Sequence, residues 1–263
     1  MTKRSIITAI IILFVVALNV TLFGAVFCLR KTTVMASSDV TISASDIIKT
    51  ASLEDGKSIF MQNKQQALNN IENAYPELKV VQIKTVSVTK LEIKVRKRYP
   101  MFYAKHNNKF YTLDEELKVL YMSNEKPNNL ILIDSSKLNI TENTKQCSFL
   151  ADKNLRSITY NMFVSMYNTV MVNNNYAERV DIINLISSIE FGTENTPQGK
   201  YDRLILNTSA GVVIDIGRPE KDLERKINTC FVTYNLKIDY QTSGTIKVYY
   251  NKSNEEVIAY FPG

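Results

Sequence analysis

Few side chains in this sequence could carry out catalysis. Its 263 residues contain a single histidine, three cysteines and no tryptophan. A metal site built from several histidines, or a histidine relay, therefore cannot be assembled. The cysteines lie at positions 28, 147 and 230, so the sequence has no CxxC pair of the zinc-ribbon kind. We expect no enzyme activity, no bound metal and no cofactor.

Two polar segments contain the remaining candidates for acid–base chemistry. His106 lies in the run Lys105–Lys109, and we interpret it as an exposed turn histidine, because nothing nearby marks a nucleophile that it could activate. Asp114–Glu116 could form a carboxylate pair, but the predicted turn position favours solvated acids. A hydrolase that uses His106 or Asp114 stays open as an alternative.

A basic run follows one predicted strand. Lys94, Arg96 and Arg98 have the same parity, so they share one face of that strand. Such a face could attract an acidic partner or anionic headgroups. We favour the simpler interpretation, which is a solvated strand face.

The last strand is the segment that best indicates a binding surface. In Val257–Phe261 the residues of both faces are apolar or aromatic, whereas a one-sided surface strand alternates with polar residues. Either the chain itself covers this strand on both faces, or another protein docks on it. A terminal strand at a sheet edge can accept a further strand through its unpaired backbone groups.

The net charge of +6 is concentrated at one end of the chain. Residues 1–31 contain four basic and no acidic side chains, whereas residues 32–263 carry 28 basic and 26 acidic ones. The basic residues flank Ser5–Leu29, an uncharged segment long enough for a transmembrane helix. Because Lys3 and Arg4 oppose Arg30 and Lys31, charge alone does not set its orientation. The nearly balanced body argues against a nucleic-acid partner.

The body of the chain reads as two modules. Residues 33–98 have the order β-α-α-β-β, with a helix that starts at Ser43–Asp46 and a second helix at Ser58–Tyr75. Residues 100–263 indicate a sheet with helices, including a predicted hairpin turn at Asn107-Asn108. In this second module we predict helices at Lys153–Val172 and Pro219–Asn235 and strands at Ile182–Phe191, Arg203–Asn207, Val212–Ile216, Gly244–Tyr250 and Glu256–Phe261.

This succession resembles the FtsQ/DivIB family of bacterial cell-division proteins, which carry a POTRA domain. In the first module the matching stretches are Ile42–Asp46, Gly56–Phe60 leading to Asn63, Tyr75–Ile83, Leu91–Val95 and Arg98–Pro100. In the second they are Tyr111–Asp114 (YTLD), Gly211–Gly217 and Ile246–Tyr250. Each motif is weak by itself, and their order along the chain carries the resemblance. Residues 140–200 match the family poorly.

The resemblance implies an α+β fold and a membrane topology. We expect a cytoplasmic tail at 1–4, a transmembrane helix at 5–29, a POTRA domain at 32–99 and a β-rich domain with helices at 100–263. The bulk of this single-pass, type II protein would be extracytoplasmic, at the division septum.

The resemblance also implies a function without catalysis. We expect a divisome assembly protein that binds FtsB/DivIC-like and FtsL-like membrane proteins and takes no nucleic acid or small-molecule substrate. The family places partner binding on the last strand, its neighbour and the preceding helix, which here gives Arg225, Tyr249, Tyr250, Val257, Ile258, Ala259, Tyr260 and Phe261. The alternatives are a membrane-anchored POTRA protein of secretion or envelope assembly, and an anchored extracytoplasmic hydrolase.

Overall fold

A computed structural model of the chain describes residue 7 and residues 10–18, 26–174, 179–196, 199–237, 243–250 and 255–263. The chain divides into two compact units, residues 1–98 and 99–263. The predicted tail at 1–4 lies outside the described residues, as does much of the predicted membrane helix at Ser5–Leu29. The predicted end of that helix is wrong, because residues 27–29 are not helical: Cys28 forms a β-bridge with Ser58, and Leu29 is buried against Ile59 and Leu91. In the described part, no helix has both the length and the apolar character needed to cross a membrane.

The first unit is a three-stranded sheet with two helices. Its elements are β1 (Lys31–Ala36), α1 (Ala44–Ala51), α2 (Lys64–Ala74), β2 (Leu78–Ser87) and β3 (Lys90–Lys97). The strand order is β1-β3-β2; β1 is parallel to β3, and β2 is antiparallel to it. A parallel pair needs a crossover connection, which the helices and β2 supply. The predicted β-α-α-β-β order is confirmed.

The helices of this unit begin at side-chain caps and bury one face. The Ser43 hydroxyl accepts a hydrogen bond from the Asp46 N–H, as the predicted start of α1 requires. Ile47 and Ala51, four residues apart, lie on the buried face. The core consists of Ile47, Ala51, Ala67, Ile71, Leu78, Val80, Ile93 and Val95.

The predicted second helix starts too early. The helix begins at Lys64, not at Ser58, because Asn63 caps it by accepting the Gln66 N–H at 3.0 Å. The residues before the cap form a loop that is closed by the Gln62 side chain. Its amide nitrogen donates to the Glu54 carbonyl at 2.7 Å, and its amide oxygen accepts the Glu54 N–H at 3.1 Å.

The interpretation of Arg98 as part of a solvated face is wrong. Arg98 is 2% exposed, and its guanidinium donates to both carboxylate oxygens of Glu72 at 2.9 Å. Its Nε donates to the Leu78 carbonyl at 3.0 Å, and the Glu72 carboxylate also accepts the Val80 N–H at 2.9 Å. The buried ion pair therefore connects the end of β3 to α2 and β2. On the same strand Lys94 is exposed, and Arg96 is half-buried.

The second unit is organised around a nine-stranded sheet. Its strand order is β12-β11-β10-β9-β8-β7-β4-β5-β6. The strands are β4 (Phe102–His106), β5 (Lys109–Leu113), β6 (Val119–Ser123), β7 (Ile131–Ile133), β8 (Ile186–Thr196), β9 (Gly199–Thr208), β10 (Val212–Gly217), β11 (Gly244–Tyr250) and β12 (Glu256–Pro262).

Three helices, α3 (Lys153–Asn174), α4 (Arg179–Leu185) and α5 (Leu223–Lys237), connect two of the three parallel pairs of this sheet, and the third pair, β4 and β7, is connected through β5 and β6. β7 is parallel to β8, and the chain between them contains α3 and α4. β10 is parallel to β11, and α5 lies between them in sequence. The helices are thus the crossover connections that parallel pairing demands. Apolar residues of all three helices, among them Met162, Ile182 and Phe231, pack into the core of the unit.

Two predicted elements of this unit have different bounds. Residues 182–185 belong to α4 rather than to a strand, and β8 begins at Ile186. The last helix begins at Leu223 rather than Pro219. Asp222 has a positive φ of 48°, a left-handed conformation that cannot continue a right-handed helix.

The β4–β5 hairpin contains the two polar segments that had suggested acid–base chemistry. Asn107 and Asn108 have positive φ values of 45° and 60°, so the predicted hairpin turn is confirmed. The prediction of solvated acids at the other end of β5 is wrong for Asp114 and Glu115, which are 0% and 5% exposed. The Asp114 carboxylate accepts the N–H groups of Glu116 and Lys118 at 2.9 Å, so it organises a turn.

Candidate functional site

Strand β12 lies at one end of the nine-stranded sheet. It pairs antiparallel with β11 over its whole length, from Glu256 opposite Tyr250 to Pro262 opposite Gly244. No described strand lies on its other side. An edge strand presents backbone N–H and C=O groups that can pair with a further strand. Of the two interpretations of the apolar Val257–Phe261 segment, the sheet order favours an accessible edge.

The two faces of β12 have different surroundings. Ile258 and Tyr260 are half-buried and pack against the core of the unit, opposite Val248 and Ile246 of β11. The tyrosine hydroxyl also donates to the Ser243 carbonyl at 2.7 Å. These contacts hold β12 on the sheet. Ile258 and Tyr260 therefore stabilise the fold in addition to forming part of the edge strand.

The opposite face of β12 ends in an exposed aromatic residue. It carries Val257 and Ala259, which are half-buried, and Phe261, which is 46% exposed. The rings of Phe261 and Tyr249 have centroids 6.1 Å apart and are inclined at 52°. Aromatic side chains that are partly exposed in this way are frequent anchors of protein interfaces.

An ion-pair network attaches the start of β12 to α5. Arg225, on the first turn of α5, hydrogen-bonds the Glu256 carboxylate. Lys226, which is 1% exposed, lies 3.2 Å from the same carboxylate and donates to the Arg218 carbonyl at 2.9 Å. Arg218 directly follows β10, Arg225 and Lys226 lie in α5, and Glu256 is the first residue of β12. The network therefore fixes the position at which β12 begins.

The network shifts two pKa values. Burial favours the neutral acid of Glu256, but the Arg225 hydrogen bond and the Lys226 charge outweigh it and lower the pKa of the carboxyl. The Glu256 hydrogen bond and charge raise the pKa of Arg225. The ion pair is therefore charged at neutral pH.

On the buried side of α5, burial raises the pKa of the Cys230 thiol to about 12, which makes it an unreactive core residue.

The glycine at the start of β11 allows the two last strands to approach closely. Gly244 has a φ of +135°, which L side chains rarely adopt. A Cβ atom there would lie 2.6 Å from the Tyr260 hydroxyl and 2.7 Å from the Phe261 carbonyl. The pairing of β11 with β12 thus depends on the absence of a side chain at this position.

The fold brings the predicted partner-binding residues to one edge of the sheet. Five lie in β12, Tyr249 and Tyr250 lie in β11, and Arg225 joins them through Glu256. The sequence interpretation missed Glu256 and Lys226. A signal was present, because Lys226 occupies the apolar face of α5 three residues after Leu223 and one before Ile227. A buried cation at such a position requires an acid nearby.

The opposite edge of the sheet, β6, is partly covered. The Val119 N–H donates to the Ser148 carbonyl and the Cys147 N–H to the Val119 carbonyl, both at 2.9 Å. The Gln146 side chain donates to the Leu120 carbonyl at 2.7 Å. A segment of the chain itself thus occupies half of this edge, whereas no described strand pairs with the outer side of β12.

The residues that suggested a hydrolase are not brought together. His106 ends β4 at the hairpin turn, whereas Asp114 follows β5 at the other end of the same hairpin. The Asp114 carboxylate is occupied by turn N–H groups. Among the described residues, no group of three or more His, Cys, Asp or Glu side chains could hold a metal ion.

Comparison with protein families identifies the first unit. A family model described as "POTRA domain, FtsQ-type" matches residues 33–98. Residues 33–98 are an FtsQ-type POTRA domain. The match supports an FtsQ/DivIB-family protein and a role in cell division, and proteins with this POTRA domain are generally non-enzymatic. Among curated proteins, none matches the chain. The POTRA domain begins two residues after the start of β1 and ends at the buried Arg98.

Proposed function

We propose that this protein is a membrane-anchored assembly factor of the bacterial divisome. The β12 edge would bind an FtsB/DivIC-like partner, which associates with an FtsL-like protein. The observation that carries the proposal is the position of β12 at one end of the described sheet, with an exposed Phe261 beside the half-buried Tyr249. The FtsQ-type POTRA domain supports the division role.

Strand addition is the binding mode that this edge favours. A partner strand would pair along the outer side of β12, and its side chains would contact Val257, Ala259 and Phe261 on the face opposite Ile258 and Tyr260. Arg225 contributes by holding Glu256, and therefore the first residue of β12, against α5. Affinity would come from the backbone pairing, and specificity from the aromatic contacts.

A membrane anchor strengthens such binding. We propose that the apolar segment from Ser5 to about Val26 spans the membrane, with residues 1–4 in the cytoplasm and the two folded units outside, at the septum. The span would confine the protein and its partners to one plane, which raises their effective concentration. A moderate affinity at the β12 edge would then suffice.

Matched edge variants test the proposal. The full chain is co-expressed with the FtsB/DivIC-like and FtsL-like proteins of the same bacterium and purified in detergent. Phe261→Asp, at the β12 edge, is expected to reduce recovery of the partners about tenfold or more, which corresponds to the loss of one interface hot spot. Tyr121→Asp, at a residue 54% exposed in β6, is the control and should leave recovery unchanged. Equal loss in both variants, or in neither, would contradict docking at β12.

A depletion experiment separates division from the alternative roles. Loss of the protein is expected to produce filamentous cells that elongate without septa. An export or envelope defect without filamentation would support a secretion POTRA protein instead. A hydrolase would instead require that a variant of His106 or Asp114 abolish function while the protein still folds and binds its partners.

A further inference from the structure

A second surface lies in the POTRA unit, in a segment that the proposed partner site does not use. We define the Phe60 loop as residues 54–62, between α1 and α2. Phe60 and Met61 at its tip are each 69% exposed. Such large apolar side chains on a surface call for an explanation when they are adjacent.

The Phe60 loop has a fixed conformation. The Gln62 amide closes it onto the backbone of Glu54, as described above, and also donates to the Lys57 carbonyl at 3.3 Å. Ile59, next to Phe60, is 1% exposed and packs with Leu29 and Leu91. The exposed tip is therefore held outward by a buried neighbour rather than being a loose end.

The loop is attached to the residues that end the long apolar segment. The Ile59 N–H donates to the Phe27 carbonyl at 2.7 Å, the Leu29 N–H donates to the Lys57 carbonyl at 2.9 Å, and the Gly56 N–H donates to the Leu29 carbonyl at 2.8 Å. The rings of Phe27 and Phe60 have centroids 5.5 Å apart. Phe27 lies within the uncharged stretch Ser5–Leu29.

We propose that the Phe60 loop inserts into the membrane interface beside the proposed span. A membrane helix that ends near Val26 would reach the bilayer boundary there, and the hydrogen bonds between residues 27–29 and the loop would hold Phe60 and Met61 near the same depth. Aromatic residues favour this interfacial level. Arg30 and Lys31 directly follow the apolar segment, so cations accompany the apolar tip and complement anionic headgroups. The occupant of this surface is therefore lipid.

Tryptophan fluorescence tests the inference, because the chain contains no tryptophan of its own. The Phe60→Trp variant of the full chain is reconstituted into phospholipid vesicles that contain anionic lipid, with or without bromine on the upper acyl carbons. We expect about a twofold loss of emission in brominated vesicles, since an interfacial side chain lies within roughly 5–10 Å of the headgroup boundary. A Tyr121→Trp variant, exposed in the other unit, should lose no emission.

A third variant separates this inference from the proposed membrane span, on which it rests. Phe27→Trp reports whether the end of the apolar segment reaches the bilayer. Quenching in Phe27→Trp without quenching in Phe60→Trp would overturn the loop inference and leave the span intact. Absence of quenching in both would overturn both. A blue-shifted emission from Phe60→Trp that bromine does not quench would mean that protein, not lipid, covers the loop, and would also overturn the inference.

Discussion

The buried ion pair between Arg98 and Glu72 gives the sharpest test of how the POTRA domain is stabilised. The two side chains are 1% and 8% exposed, and the Arg98 guanidinium makes two 2.9 Å hydrogen bonds to Glu72 and one to the Leu78 carbonyl. Arg98→Met would leave a carboxylate buried without its cation. Removing one partner of a buried pair costs about 3–5 kcal/mol, far more than an exposed pair.

Hydrogen exchange followed by mass spectrometry measures this cost locally. Peptides that cover β2 and β3 of Arg98→Met should exchange faster than in the wild type by about two to nearly four orders of magnitude, if exchange proceeds through unfolding of the POTRA domain. Peptides from residues 99–263 should be unchanged and serve as an internal reference. Lys94→Met, an exposed cation on the same strand, is the matched control and should exchange like the wild type.

A double variant refines the interpretation. Glu72→Met combined with Arg98→Met removes both charges, and we expect it to recover a large part of the lost protection, because no unpaired charge is left in the core. An increase of less than tenfold for Arg98→Met alone would refute the reasoning, since it would mean that water reaches the carboxylate and that the pair adds little.

Three further predictions concern the β12 edge and the helix α5 that is attached to it. Gly244→Ala should weaken the β11–β12 pairing by about 1–3 kcal/mol, because L side chains rarely adopt a φ of +135° and the new Cβ would meet Tyr260 and the Phe261 carbonyl; faster hydrogen exchange of residues 256–262 would report it. The pKa of Glu256 is lower in the folded than in the unfolded chain, so its charge stabilises the fold above the unfolded pKa, and this contribution disappears as the pH falls through the folded pKa. The melting temperatures of wild type and Glu256→Gln should therefore converge in acid, and a constant difference would contradict the ion-pair argument. Cys230, buried and with a pKa of about 12, should react with maleimide more slowly than the half-buried Cys147 when labelling is followed by mass spectrometry; equal rates would mean that α5 opens.

Local signals in the sequence were sufficient to predict several elements of the fold. Ser43 and Asp46 mark the start of α1, and the structure places the capping hydrogen bond there. Asn107-Asn108 marks a hairpin, because both residues adopt the positive φ values that such a turn requires. These features depend on residues within one turn of the chain, so a short stretch of sequence contains all the information.

Interactions between residues that are distant in the sequence could not be predicted from local signals. Glu72 and Arg98 are 26 residues apart, and Arg225 and Glu256 are 31 apart. Each of these charged residues is compatible with a solvated surface when its own neighbours alone are considered. Only the folded chain decides that Arg98 is buried with Glu72, and that Arg225 holds the beginning of β12.

The candidate binding edge shows the same difference between what local sequence predicts and what long-range contacts decide. The sequence by itself determined that Val257–Phe261 is a strand with two apolar faces, because side-chain alternation is a local property. Whether such a strand lies inside a sheet or at its end depends on the order of all nine strands, and therefore on crossover connections such as α5. The tertiary structure alone placed β12 at the end, since strand order results from long-range pairing that no local pattern encodes.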